Sequence, residues 1–466
     1  MYKDDSVFRI LLKYNYNLYR GNMKVSEYLS KHLEEYISDI SKAADDENPL
    51  LGNSFTIQLK DKLYLIKKIC HQIIDILKLN ENGNIKESYD KAYALFDMLS
   101  PFFLSRFSAK DYSGMYYRIR QGDFRIKPGD NSKSQKAELF HIKQNLRKLI
   151  GAYRYSVAGF PCLYLSSGIE LAWFECGMPR QFSYCSMKIA ETGKDALKLI
   201  NFSNRPIELL QNIYTLLLNS RHSEEQTKAI YKYLLNYIIT YPLMAACSIK
   251  VKQRESKFIE EYIVPQLLMQ WISVKNNFDG IMYKSSLYTD LVKDMGAVNI
   301  VLPVKKFRDD GLCENLTSKI SVSNIGYLDV NIEFAKYKEQ LSKIEDFKNE
   351  LTMNMVSSKY KGKYILKIID ICELTLKIYR ALIDGKYDNI ELIFSFIDSL
   401  FDYIDFLHNN VELIIKNIQA DSGVKDTDTD EIKRVIHDFY ELISQVVHKH
   451  TVFHFNFENL LNYEKI

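Results

Sequence analysis

Three side chains in the middle of this sequence interrupt the patterns around them and are of types that do chemistry: Arg118, Glu175 and Ser285. Arg118 lies in MYYRIR (115–120), on the polar side of the alternation with Tyr116 and Arg120. Glu175 is the lone carboxylate in LAWFEC (171–176). In so apolar a run it is an exposed edge, an ion-pair partner or a functional acid. Ser285 shares a strand face with Ile281 and Tyr283, where a single serine is ordinarily structural. Tyr164 in CLYLSS (162–167) occupies an ordinary core position. By type, a guanidinium pairs with phosphate or carboxylate oxygens, and a carboxylate moves protons or faces a developing positive charge.

Motifs for the commonest alternatives are missing from the sequence. There is no G-x-x-x-x-G-K-[ST], G-x-G-x-x-G, G-x-S-x-G or H-E-x-x-H, so NTPase, Rossmann, α/β-hydrolase and zincin readings lose their usual supports. DTDTDE (426–431) imitates the start of a calcium loop, but Glu431 stands where glycine is needed and His437 where a bidentate glutamate is needed. It reads as a polar loop before the last helix. His448, His450 and His454 read as an exposed helix end, and no metal site is expected.

The elements that must position these residues fall into three segments. The first 110 residues are helical, with Leu29, Leu33, Tyr36 and Ile40 at helical spacing, then the stripe Leu59, Leu63, Ile66, Cys70, Ile73, Leu77 ending at Asn80-Glu81-Asn82-Gly83. A third helix, KESYDKAYALFDML, runs towards Pro101. From 111 to 306 the pattern becomes mixed: strands at MYYRIR, FPCLYLSS, SYCSMKIA, ALKLINF, FDGIMYKSS and AVNIVLPV, a short helix opened by Gly168, and a helical insertion over about 205–275. MYYRIR reads as a half-buried strand. Residues 307–330 read as a linker and 331–466 as a C-terminal helical domain. There, a highly charged helix is solvated or paired, and a helical hairpin breaks at Asp384-Gly385.

Composition agrees with a folded, largely helical chain. Of 466 residues 47% are hydrophobic and 26% charged, with only 9 Pro and 18 Gly. A net charge of +3 gives a nucleic-acid partner no support. Seven cysteines without a C-x-x-C indicate neither a disulfide framework nor a zinc site. No apolar run is long enough for a membrane span, and the charged first residues do not form a signal-peptide core. The expected compartment is the cytoplasm.

Several of these blocks together resemble the RES-domain family, named for its Arg, Glu and Ser. They are YYRIR, ELFHIKQNLRKLIGAYRYSVAGFPCLYLSSGIELAWFECGMP, KFIEEYIVPQLLMQWI and FDGIMYKSS, in that order. The resemblance covers roughly 111–305, and the flanking segments resemble no family. It implies an α+β chain: a central ADP-ribosyltransferase-like domain with small β-sheets, flanked by all-α domains. It also implies NAD+ as substrate, with the nicotinamide–ribose bond cleaved by water or by inorganic phosphate, no further cofactor, and use as a toxin or defence effector. By position the family's Arg falls on Arg118, its Glu on Glu175 and its Ser on Ser285, and the aromatic residue beside the second arginine on Tyr155. His141, Arg147 and Arg154 sit at positions this branch of the family favours.

In that reading Arg118, assisted by Arg154, clamps the pyrophosphate, because the guanidinium fork matches phosphate oxygens. Glu175 faces the oxocarbenium character that develops on the ribose and helps orient the attacking water or phosphate. Tyr155 stacks on or orients the nicotinamide ribose, and Ser285 holds Glu175 or a ribose hydroxyl. Tyr164, Tyr283, His141 and Arg120 complete the expected binding surface. Arg120 shares the face of Arg118, and Arg118 is preferred because it follows Tyr117 as in the family's motif. Two alternatives remain: transfer of ADP-ribose to a macromolecule, and a non-enzymatic helical interaction protein with an inactive central domain. A regulatory or antitoxin protein and a second copy of the chain are the further partners expected.

Overall fold

The computed structural model describes residues 5–14, 18–104, 114–125, 138–177, 179–189, 197–218, 223–251, 256–275, 277–285, 298–329, 338–356, 363–384, 433–435 and 437–442. DTDTDE, the three C-terminal histidines and the second arm of the expected C-terminal hairpin lie outside them.

Helices α1 (Ser6–Leu11), α2 (Val25–Asp45), α3 (Gly52–Glu81) and α4 (Ile85–Leu99) open the chain. The expected stripes are buried: Leu29, Leu33, Tyr36 and Ile40 on α2, and Leu59, Ile66, Cys70, Ile73 and Leu77 on α3. Gly83, with φ of 79°, takes the left-handed conformation that ends α3 and lets α4 fold back along it.

The mixed segment supplies β1 (Met115–Gln121), β2 (Cys162–Ser166), α5 (Ile169–Glu175), β3 (Gln181–Ile189) and β4 (Leu199–Phe202). The helical insertion follows as α6 (Pro206–Leu218), α7 (Glu224–Ser248) and α8 (Ile263–Val274). Then come β5 (Gly280–Tyr283), β6 (Asn299–Pro303), α9 (Glu314–Lys319), β7 (Ile320–Val322) and β8 (Gly326–Asp329). The strands form one mixed sheet, ordered β4-β5-β6-β2-β1-β3-β7, with β8 also on β3. Among the described strands only β4 and β5 pair in parallel.

Four expectations change. The strands make one eight-stranded sheet rather than several small ones, because β1 bridges β2 and β3. The supposed linker 307–330 carries α9, β7 and β8, and the two strands extend the sheet by pairing with β3. Their short polar sequences (ISV, GYLD) hid them, since an edge strand needs a backbone partner more than an alternating pattern. β1 is half-buried, but not one-sidedly: its two fully covered residues, Tyr116 (0% exposed) and Ile119 (5%), lie on opposite faces. The N-terminal helices do not enclose a core of their own: Leu29, Tyr36, Leu59 and Phe96 belong to one hydrophobic cluster with Tyr237, Tyr241 and Leu268 of the insertion and Ile200, Ile281 and Val301 of the sheet.

A second cluster, with Tyr116, Leu163, Leu165, Met187, Met282, Ile300 and Leu316, covers the other face of the sheet. Farther on, α10 (Lys338–Val356) and α11 (Lys363–Asp384) are joined by Arg380 and Glu345 at 2.5 Å, so the charged helix is a pairing helix. No helix among the described residues is long and apolar enough to cross a membrane.

Candidate active site

Strand registers align one row of residues across the sheet. Tyr283 on β5 lies opposite Asn299 on β6, Asn299 opposite Ser166 on β2, and Ser166 opposite Tyr117 on β1. Directly opposed residues share a face, so these four point to the same side. The pairing of β1 with β2 is confined to Tyr117 and Ser166, and a seam opens between the two strands beyond that pair.

Side chains fill the seam. Arg118 Nη1 donates to the Tyr164 carbonyl oxygen at 2.9 Å. Opposite, the Cys176 thiol donates to the Ile119 carbonyl oxygen at 3.5 Å. Arg118 Nε is buried with no hydrogen-bond partner. Leaving such a donor unmet costs about 1–3 kcal/mol, and an anionic oxygen would satisfy it. Burial lowers the guanidinium from its ordinary value, with the Cys176 thiol opposing that shift.

Glu175 is the last residue of α5, a helix otherwise buried at Leu171, Ala172, Trp173 and Phe174. The acid itself is exposed. A carboxylate at a helix C-terminus faces the negative end of the dipole, an unfavourable place worth about 0.3–1 kcal/mol. Asn299 holds it there, Nδ2 to Oε1 at 2.6 Å, and Ser166 Oγ bonds Asn299 Oδ1 at 2.5 Å. Gly177, with φ of 76°, stops the helix and turns the chain away just beyond the acid.

Two neighbouring side chains feel these charges. Burial pushes the Cys176 thiol up to about 11, the Arg118 charge pulls it down and the Glu175 charge pushes it up. Tyr283 is raised well above the ordinary phenol value by burial and then by Glu175. Arg118, Cys176, Glu175 and Tyr283 therefore share one neighbourhood. Ser285 lies two residues beyond Tyr283, half-buried, after the end of β5.

The remaining expected residues divide. Tyr164 is half-buried and hydrogen-bonds Ser156 Oγ through its hydroxyl at 3.0 Å. Tyr155 is 1% exposed and packs its ring on Tyr283 at 4.8 Å between centroids, so it supports Tyr283 from the core rather than facing outward. The Arg154 guanidinium is buried and donates to the carbonyls of Cys247 and Ile249, both at 2.9 Å, tying this turn to the end of α7. It is a structural staple in this arrangement rather than a phosphate clamp. His141 is buried with both ring nitrogens engaged, Nδ1 to the Ile142 carbonyl and Nε2 accepting from Cys313 N. It too anchors backbone. Arg120 donates to the Glu138 carbonyl and lies over the Phe124 ring at 4.2 Å.

Sequence reasoning missed Asn299, Ser166 and Tyr153. The first two are buried polar residues inside apolar strands, 3% and 4% exposed, and that was the available signal. Tyr153 is 53% exposed, lies edge-on to Tyr164 at 5.9 Å and is near Arg118. Among the described residues no three His, Cys, Asp or Glu side chains gather as a metal site.

The chain is similar to a Bacillus subtilis (strain 168) protein described as "Putative toxin YopC", with 28% identity over 312 residues. That match takes in 65% of this chain and 66% of the relative, just under two thirds of the relative's length. It is longer than the segment 111–306, so it includes part of the flanking helices. No family model matches the chain, and no solved structure matches it.

Proposed function

We propose that this protein is an NAD+-degrading enzyme of toxin type, which cleaves the nicotinamide–ribose bond and passes the ribosyl carbon to water or inorganic phosphate. The observation that carries the reading is that two opposite charges are near Cys176: a buried guanidinium with an unmet donor, and an exposed carboxylate hydrogen-bonded by Asn299. NAD+ offers a pyrophosphate to the first and, as the bond to nicotinamide breaks, a cationic ribose to the second.

The chemistry assigned to these residues is electrostatic. Arg118 holds the pyrophosphate through the donors not spent on Tyr164. Glu175 stabilises the oxocarbenium-like ribose and accepts a hydrogen bond from a ribose hydroxyl or from the attacking water. Tyr283, backed by Tyr155, forms the wall beside the acid, and Ser285 follows it two residues on. The relative described as a toxin supports the biological half of the reading.

The test is release of nicotinamide from NAD+ by the purified chain, with and without phosphate, and its loss in Glu175→Gln. Removal of one such contact costs about 10²–10³ in rate, and the exposed position of Glu175 predicts an unchanged melting temperature. Intact NAD+ after long incubation with concentrated protein overturns the proposal, as does a Glu175→Gln variant of undiminished rate.

A further inference from the structure

We infer that Asn299 is a positioning residue for Glu175, and that Ser166 fixes which way Asn299 points. The inference rests on the reading of Glu175 given above, and it gives a task in holding the acid to a strand residue outside the expected site.

The assignment follows from counting protons. An ionised carboxylate only accepts, so the Asn299 group 2.6 Å from Glu175 Oε1 must be the amide nitrogen. Its oxygen then faces Ser166 Oγ at 2.5 Å and only accepts, so the serine hydroxyl must donate. The chain Ser166 to Asn299 to Glu175 therefore has one direction, and flipping the amide would face oxygen to oxygen at the acid. Both relay members are buried, 4% and 3% exposed, and each sits opposite the other on paired strands. The acid at the end of the chain is exposed. The relay thus reaches from the sheet to the mouth of the site. Its consequence is that Oε1 is held against the sheet while Oε2 is left for substrate.

Three variants test this against wild type, read by nicotinamide release from NAD+. Asn299→Ala is expected to lower kcat by about 10- to 100-fold with KM within threefold, since the bond acts on orientation and charge rather than on ground-state binding. Ser166→Ala is expected to lower it less. Asn299→Asp keeps the shape but sets a second carboxylate beside Glu175, so the pair shares a proton and the acidic limb of the pH profile moves upward by about a unit or more. A role in folding alone would move melting temperature, not that limb. Asn299→Ala within threefold of wild type in kcat, or an unmoved limb in Asn299→Asp, overturns the inference.

Should wild type release no nicotinamide, it is the proposed activity that fails. The relay is then read from carboxyl carbon NMR of Glu175, identified by its disappearance in Glu175→Gln. A carboxyl carbon shift that moves in Asn299→Ala supports the relay, and an unchanged shift overturns it.

Discussion

Arg118 and Tyr164 stand on neighbouring strands but are joined by a side chain rather than by the β-ladder, Arg118 Nη1 reaching the Tyr164 carbonyl at 2.9 Å. The bond replaces the backbone partner that β1 would have supplied had it stayed beside β2 past Tyr117 and Ser166. One guanidinium therefore does two things. It satisfies an orphaned carbonyl in the seam, and it keeps Nε unspent in a buried setting. A lysine has three donors on one nitrogen and no fork, and cannot do both from one place.

Arg118→Lys should accordingly lose binding before it loses fold. With a charge-assisted bond worth about 1.5–3 kcal/mol, kcat/KM for NAD+ is expected to fall by about 10- to 100-fold, mostly through KM. Initial rates across a range of NAD+ concentrations check it. An unchanged KM in a folded Arg118→Lys protein would remove the pyrophosphate from the guanidinium.

Arg154 is expected to behave in the opposite way. Its two bonds to the Cys247 and Ile249 carbonyls lie in the interior, and its ring neighbour is Tyr262 at 5.3 Å. Arg154→Met fills much of the volume but strands both carbonyls, each at a cost of about 1–3 kcal/mol. Denaturant unfolding should show that loss, while KM for NAD+ in the protein that remains folded stays within about threefold. A large KM effect without loss of stability would return Arg154 to the binding surface.

The central strands and the helical stripes were legible because both follow from periodicity: Leu59 to Leu77 repeats at the helical interval, and β2 is an apolar run between turns. The seam was not. Whether Arg118 faces solvent, as its place on the polar side of MYYRIR implied, depends on where β1 parts from β2, and no local pattern encodes that. Arg154 and Tyr155 read as site residues through the resemblance, in a stretch that runs into Gly159-Phe160-Pro161. The turn is real, Tyr153 bridging Ser156, but it faces its arginine inward and Tyr153 outward. Asn299 was hidden by its neighbours, since a single polar residue in AVNIVLPV reads as tolerance until its partners on two other elements are seen.

His141 gives a pH dependence of known sign. Burial holds it down to about 4, from an ordinary value near 6.5, with the Ile142 carbonyl and Asp310 opposing and Arg118 assisting. The folded form keeps it neutral while the unfolded chain protonates below about 6.5, so its contribution is whole above that pH. It shrinks as pH falls towards 4. A shift of that size corresponds to about 3 kcal/mol. His32 is held down to about 4 as well and titrates in the same window, so the comparison must be between variants. Unfolding free energies of wild type and His141→Gln, measured between pH 7 and 4, should show the shallower slope in the variant. Identical slopes would mean that His141 is protonated in the fold.

Truncation tests the shared core. Tyr36 on α2 donates to the Ile238 carbonyl on α7 at 2.7 Å, Trp271 on α8 donates to Asp97 on α4 at 2.9 Å, and the backbone N–H of Asn201 on β4 donates to the Leu104 carbonyl at 2.9 Å. Arg20 reaches the buried Glu261 at 2.7 Å. Removing residues 1–104 would bare Tyr237, Tyr241, Leu268 and Trp271, each 0–1% exposed in the whole chain. At about 1.5–3 kcal/mol for each large side chain uncovered, the loss exceeds the 5–15 kcal/mol that ordinarily separates folded from unfolded protein once the rest of the cluster is counted. A chain starting at residue 105 is therefore expected to be insoluble or unfolded by circular dichroism, and without nicotinamide release. If that fragment instead folds and cleaves NAD+ at the full-length rate, the N-terminal helices are an accessory and the core they share with α7 and α8 is dispensable.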